Sequence, residues 1–224
     1  MYAFFLLLGL WGGAPDGLEM ARDRQDVAGL EKVVADLSAA AVKAPGDAEA
    51  HYRAALACSY LGEVALERKD KKEAQRAAEA GIQAAERAIA LKPNVAEYHR
   101  VLGTLCGQVI PANVLAGLGY GKRARDAIAK ALELDPRSSR AYLARGVGNY
   151  YLPAGLGGGL DLAIADFRKA AELDPQSAEA YLWLGLALRK QNQPAEARKA
   201  FARSLELDPN RVWARQQLEK TPPQ

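Results

Sequence analysis

Apolar and small residues recur along this chain in register with a series of prolines. Six places after Pro45, Pro93, Pro136 and Pro175 stands a large residue: His51, His99, Tyr142 or Tyr181. Four places later, one helical turn along the same face, comes a small one: Ala55, Gly103, Gly146 or Gly185. Counting back from Pro93, Pro136, Pro175 and Pro209 yields a second set. Gly81, Ala124, Ala163 and Ala197 stand twelve places before, Ile128, Phe167 and Phe201 eight before, and Ala88, Ala131, Ala170 and Ser204 five before. Small residues let two antiparallel helices approach closely, and the large ones fill the space beside them. The pattern predicts a run of helical hairpins, each ending at a proline that cannot continue the helix.

The spacing places the turns. Pro175 and Pro209 lie 34 residues apart, whereas the earlier intervals are 39, 43 and 48. In the third hairpin the surplus falls in Pro153–Gly159, a stretch that breaks a helix. In the second it falls in Pro111–Gly121, where Gly117, Gly119 and Gly121 mark a long turn. The first hairpin has no proline, and its surplus is about four helical turns. It reads as two helices, each lengthened by about two turns and joined near Lys69, Asp70 and Lys71. Segment 24–43 reads as a lone second helix with Val33, Leu37 and Ala40 inward. Val212, Trp213 and Leu218 fit a short helix covering the last apolar face.

At these linked positions the chain resembles the tetratricopeptide repeat family over about 46–209, most strongly over 176–209. The resemblance implies an all-α, right-handed α-solenoid of four repeats at 46–93, 94–136, 137–175 and 176–209. A capping helix lies in 20–45, and another with a tail in 210–224. The family is one of non-catalytic scaffolds without cofactors, whose first helices line a concave groove for a protein or peptide partner. By the resemblance that groove takes Glu49, Tyr52, Arg53, Leu56 and Tyr60, then Glu97, Arg100, Thr104 and Gln108. Arg140, Leu143, Val147, Tyr150 and Tyr151 follow, and Glu179, Leu182, Trp183, Leu186, Arg189 and Lys190 complete it. Aromatics and Arg are enriched where proteins bind each other. The expected anchors are therefore Tyr52, Arg53, Arg100, Tyr150, Tyr151, Trp183, Arg189 and Lys190, with Arg189 as a rim charge. Packing of Trp183 and some tyrosines against the inserted turns is the competing expectation. Tyr52, Leu56, Val101 and Ala144 stand where family members that clamp chaperone tails carry Lys and Asn, which argues against that role. The alternative is a periplasmic small-ligand-binding or transporter-accessory protein, similar to tetratricopeptide components of solute uptake. In the third repeat Arg145 and Asn149 depart from the family pattern. A buried Arg needs partners, and the adjoining turn's carbonyls would serve, either as a brace or as part of a ligand pocket.

Thirty Lys and Arg against 27 Asp and Glu are interspersed, with 50% hydrophobic residues, as in a soluble globular array. No basic block tracks a phosphate backbone, so nucleic-acid binding is not expected. His51 and His99 share their slot with tyrosines and lack a neighbouring Cys-x-x-Cys or His-x-x-x-His. They read as packing residues, and no metal site is expected. Gly117–Lys122 lacks the strand and the Gly-Lys-Ser/Thr ending of a phosphate loop, and no serine lies in Gly-x-Ser-x-Gly. Cys58 and Cys106 occupy equivalent points on neighbouring first helices, too far apart for a disulfide, so buried free thiols are expected. Tyr2–Leu10 is apolar, too short to span a bilayer and long enough for a signal core. Residues 1–19 therefore read as a signal segment of a periplasmic or secreted protein with no integral span. The alternative is a spurious extension of a cytoplasmic protein translated from Met20.

Overall fold

The computed structural model describes residues 17–112 and 117–222. Among these residues, eleven α-helices account for the regular structure: α1 Gly17–Asp23, α2 Val27–Lys43, α3 Ala48–Glu67, α4 Lys71–Leu91, α5 Ala96–Val109, α6 Gly117–Leu134, α7 Ser139–Tyr151, α8 Leu160–Leu173, α9 Ala178–Lys190, α10 Pro194–Leu207 and α11 Val212–Glu219. A 3-10 turn, Ala154–Leu156, lies between α7 and α8. The chain is an all-α helical-repeat solenoid. α3–α4, α5–α6, α7–α8 and α9–α10 form hairpins. The first helices α3, α5, α7 and α9 stack in order, and each second helix packs on the next hairpin's first.

Local chemistry explains the boundaries. Asp26, Asp47, Asp70, Ser138 and Ser177 cap α2, α3, α4, α7 and α9, each side chain accepting an N–H from the first turn. Three tight turns share one form. Gln25, Lys69 and Asn192 adopt positive φ, and the next residue donates its N–H to a carbonyl five back: Asp26 to Ala21, Asp70 to Ala65, Gln193 to Leu188. The long turn of the third repeat instead uses Gly157 at φ 86° and Gly159 at φ 115°.

The small-and-large register operates as a lock. Phe167 and Phe201 have no solvent exposure. A Cβ on Gly146 would lie 2.5 Å from the Phe167 ring, and one on Gly185 2.6 Å from that of Phe201. The phenyl ring of each second helix thus rests on the bare backbone of the first.

Several expectations are corrected. α1 precedes α2 and joins it through the same tight turn as α3–α4, so 24–43 is no lone helix but half of a further hairpin. A boundary at 19/20 cuts that helix. α2 turns Leu30, Val34 and Ala41 inward while Ala40 is exposed, because Leu30 and Val34 are the residues that meet Leu61, Val64 and Ala77. Gly117, Gly119 and Gly121 belong to the first turns of α6 and not to the loop before it. The long helices of the first repeat meet at Arg68–Asp70, as their surplus length predicts. His51 and His99 are half-exposed: each Nε2 lies near the proline carbonyl six residues before, 3.3 Å from Pro45 and 2.7 Å from Pro93. They brace turns instead of filling the core, and Arg215 donates likewise to Pro209. Cys58 and Cys106 are buried and unpaired, and burial pushes both thiols up to about 11. The apolar Tyr2–Leu10 lies outside the described residues. Among those described, no helix is long and apolar enough to cross a membrane.

Candidate concave site

The inner faces of α3, α5 and α7 carry a connected polar network. Arg100 grips Glu97 with two nitrogens at 2.8 and 2.7 Å, while Arg140 approaches the same carboxylate at 3.5 Å. Tyr52 donates its hydroxyl to Glu97 at 3.2 Å and stacks on Tyr98, whose own hydroxyl donates to Glu49. Burial raises Glu97, yet Arg100 and Arg140 outweigh it and hold the carboxyl below the usual range. Burial, then Glu97, pushes the Tyr52 phenol above the ordinary tyrosine range. Beside this network opens a cleft of about 400 Å³ lined by Gly17, Leu18, Val33, Leu37, Glu49, Tyr52, Arg53 and Leu56. Part of its wall is apolar, and Glu49, Tyr52 and the exposed Arg53 supply a polar part.

The second half of the expected groove is built differently. Trp183 is half-buried at the centre of an aromatic cluster, with ring centroids 5.7 Å from Tyr150, 6.2 Å from Tyr151, 6.1 Å from Phe167 and 5.5 Å from Trp213. Tyr151 remains 66% exposed. Lys190 lies over the Tyr150 ring and donates to its carbonyl. Arg189 is no rim charge. Its guanidinium donates to the Gln217 carbonyl and side chain and to the Thr221 hydroxyl, which pins the C-terminal cap. Leu182, Leu186 and Gln108 are buried, Gln108 donating to the Ser59 carbonyl, so they line no groove. Of the eight expected anchors, Tyr52 and Arg53 line the cleft, Arg100 is bound to Glu97 in the adjoining network, and the other five surround or adjoin the aromatic cluster.

Arg145 is not buried either. It binds Asp166 with two nitrogens, the nearer at 2.7 Å, and Asn149 donates to the same carboxylate. The partner is a carboxylate on α8 and not the turn's carbonyls, because Asp166 is the buried group that needs neutralising. The arrangement is a brace between α7 and α8.

The sequence reading missed the most densely charged place in the molecule. Arg211, at the start of α11, has no exposed side-chain surface. It donates to Glu179 at 2.6 Å, to Glu63 at 2.7 Å and through two nitrogens to Glu67. Asp23 lies 4.0 Å away and is itself held by Arg22, while Gln25 donates to Glu67. These contacts bring α11 and α9 onto α1 and α3, so the two ends of the array meet. Glu63 and Glu67, four apart on one helix face, were the visible half of the signal. Their partner lies 144 to 148 residues along the chain, beyond any local pattern.

Comparisons with known proteins agree with this architecture. The family model described as regulator of microtubule dynamics protein 1-3 matches residues 19–152, more than half of the chain, and a tetratricopeptide repeat model matches 157–212. Among solved structures, a thermophilic tetratricopeptide repeat protein of Thermus thermophilus superposes with a TM-score of 0.65 at 20% identity, over 92% of this chain and 96% of its own. The HusA haemophore of Porphyromonas gingivalis gives 0.57 at 22% identity, over 80% and 96%. At that identity the likeness is one of fold. No curated protein matches significantly. The chain is a tetratricopeptide repeat protein and belongs to the regulator of microtubule dynamics protein 1-3 family.

Proposed function

We propose that this member of the regulator of microtubule dynamics family is a non-catalytic scaffold that grips a segment of a protein partner at the cleft between α2 and α3. The observation that carries the reading is the pairing of an apolar strip, Leu18, Val33, Leu37 and Leu56, with a polar one of Glu49, Tyr52 and the exposed Arg53. An apolar anchor seats on such a strip while a charged rim selects and orients it. The aromatic cluster then stiffens the array, with the exposed Tyr151 as a second contact. The test is affinity capture with the intact chain and with Arg53→Glu, whose side chain is exposed and carries little packing. Tubulin is included as one candidate because the family description names microtubule dynamics. Loss of a specific binder in Arg53→Glu, with unchanged thermal unfolding, supports the reading. An identical set of binders refutes it.

A second reading, a periplasmic small-ligand-binding or transporter-accessory role, takes its support from the contact between the array's two ends, where Arg211 bonds to Glu179 and Glu63. A small molecule retained in the native mass spectrum of purified protein supports it over the first.

A further inference from the structure

Among the described residues, the two ends of the array are joined by charge, not by apolar packing. One apolar cluster, built on Phe167 and Phe201, takes in Trp213 and Leu218 of α11. Another, built on Leu30, Leu61 and Val64, takes in Leu18 and Ala21 of α1. They share no residue, and between them lies Arg211 with its carboxylates. Such a joint separates without exposing a hydrophobic face, because opening it returns ions to water that solvates them well.

The composition of the joint is unbalanced. Two guanidiniums, Arg22 and Arg211, face four carboxylates: Asp23 from α1, Glu63 and Glu67 from α3, and Glu179 from α9. The surrounding groups do not correct this. Arg22 lies over the Tyr60 ring, Glu19 and Asp208 add negative charge nearby, and the adjacent Arg100 is already bound to Glu97. We propose that Arg211 is a latch closing the two ends of the array, and that proton uptake by its carboxylates tightens it.

The direction follows from the charges. Burial, then Glu179, pushes Glu63 up to about 8 despite Arg211, and burial pushes Asp23 up to about 6 against Arg22. Burial also raises Glu67. Glu179 goes the other way, because Arg211 and Arg22 outweigh its burial. An opened joint returns Glu63 to the ordinary carboxylate range, so the closed form holds a proton that the open form lacks. Its contribution to closure is full below that ordinary range, declines as pH rises, and is lost once pH passes about 8.

The test is a distance measurement between spin labels at the exposed positions Arg68 and Glu219, with the buried native thiols left unlabelled. The expected result is one short, narrow distance at pH 5 that gains a longer, broader population by pH 9. Arg211→Ala shows the long population at both pH values, and Glu63→Gln loses most of the pH response. A wild-type distance unchanged from pH 5 to 9, or an Arg211→Ala distance identical to wild type, overturns the proposal. Should Arg211→Ala fail to fold, the wild-type series and Glu63→Gln decide between the same outcomes.

Discussion

Two regions of this molecule each bury a large side chain completely and are chemically opposite. In the third and fourth repeats, Phe167 and Phe201 are buried against glycine backbones, in contacts made within a single hairpin. At the joint, Arg211 is just as buried, but its partners are carboxylates, Glu179 from the neighbouring α9 and Glu63 and Glu67 from α3 at the far end of the array. Burial of a phenyl ring is stabilising in itself. Burial of a guanidinium is at best balanced by its partners. The first kind of contact builds the repeats; the second decides how they curl.

That contrast is broken most directly by Phe201→Ala, expected to cost about 3–5 kcal/mol because Gly185 leaves nothing to fill the void. Chemical denaturation checks it. A loss below about 1 kcal/mol would mean that the phenyl seam is not what holds the repeat.

Trp183→Ala is next, at about 2–3 kcal/mol, since its ring touches Phe167 and Trp213 yet remains half-exposed. The near-ultraviolet circular dichroism of the aromatic cluster falls with it. Loss of partner binding without loss of stability would return Trp183 to the role of a groove anchor.

Arg211→Ala sharpens the comparison from the other side. A buried charge stranded without its partner costs about 3–5 kcal/mol where it cannot reach water. Here the joint opens and rehydrates the carboxylates, so about 1–2 kcal/mol is expected, and urea unfolding measures it. A cost equal to that of Phe201→Ala means that the joint is rigid core.

The smallest effect concerns Cys58 and Cys106. Burial raises both thiols to about 11, and both lie in the repeat interior, so alkylation at pH 8 should proceed only through unfolding. Rapid labelling of native protein would place one of them on an open face.

How much of this was legible in the sequence follows from the same contrast. Gly185 stands in a slot that recurs four times and Phe201 in one that recurs three times, so their contact could be read from spacing alone. The long α3 and α4 were legible from surplus length without a proline. α1 was not, because only its turn, with Gln25 at positive φ, repeats the form of the others, and that turn carries no glycine to mark it. Within the site, Tyr52 lines the cleft and bonds to the Glu97 that Arg100 holds. Arg189 does not serve as expected, since nothing local reveals that α11 folds back over it. The Arg211 joint was invisible for a stronger reason: it occurs once, and a pattern that occurs once has no period.

The meeting of the two ends also changes how the protein should come apart. An open repeat array behaves as a line of coupled units, and each terminal unit frays first because it has a single neighbour. In this chain α1 and α11 gain a second neighbour through Arg22, Gln25 and Gln216 as well as Arg211, so the line becomes a loop. Closing it costs conformational entropy that grows only slowly with the length enclosed. In return neither terminus can fray without releasing the other. Amide exchange in α1 and α11 should therefore rise and fall together, as it would for two strands of one knot pulled from opposite sides.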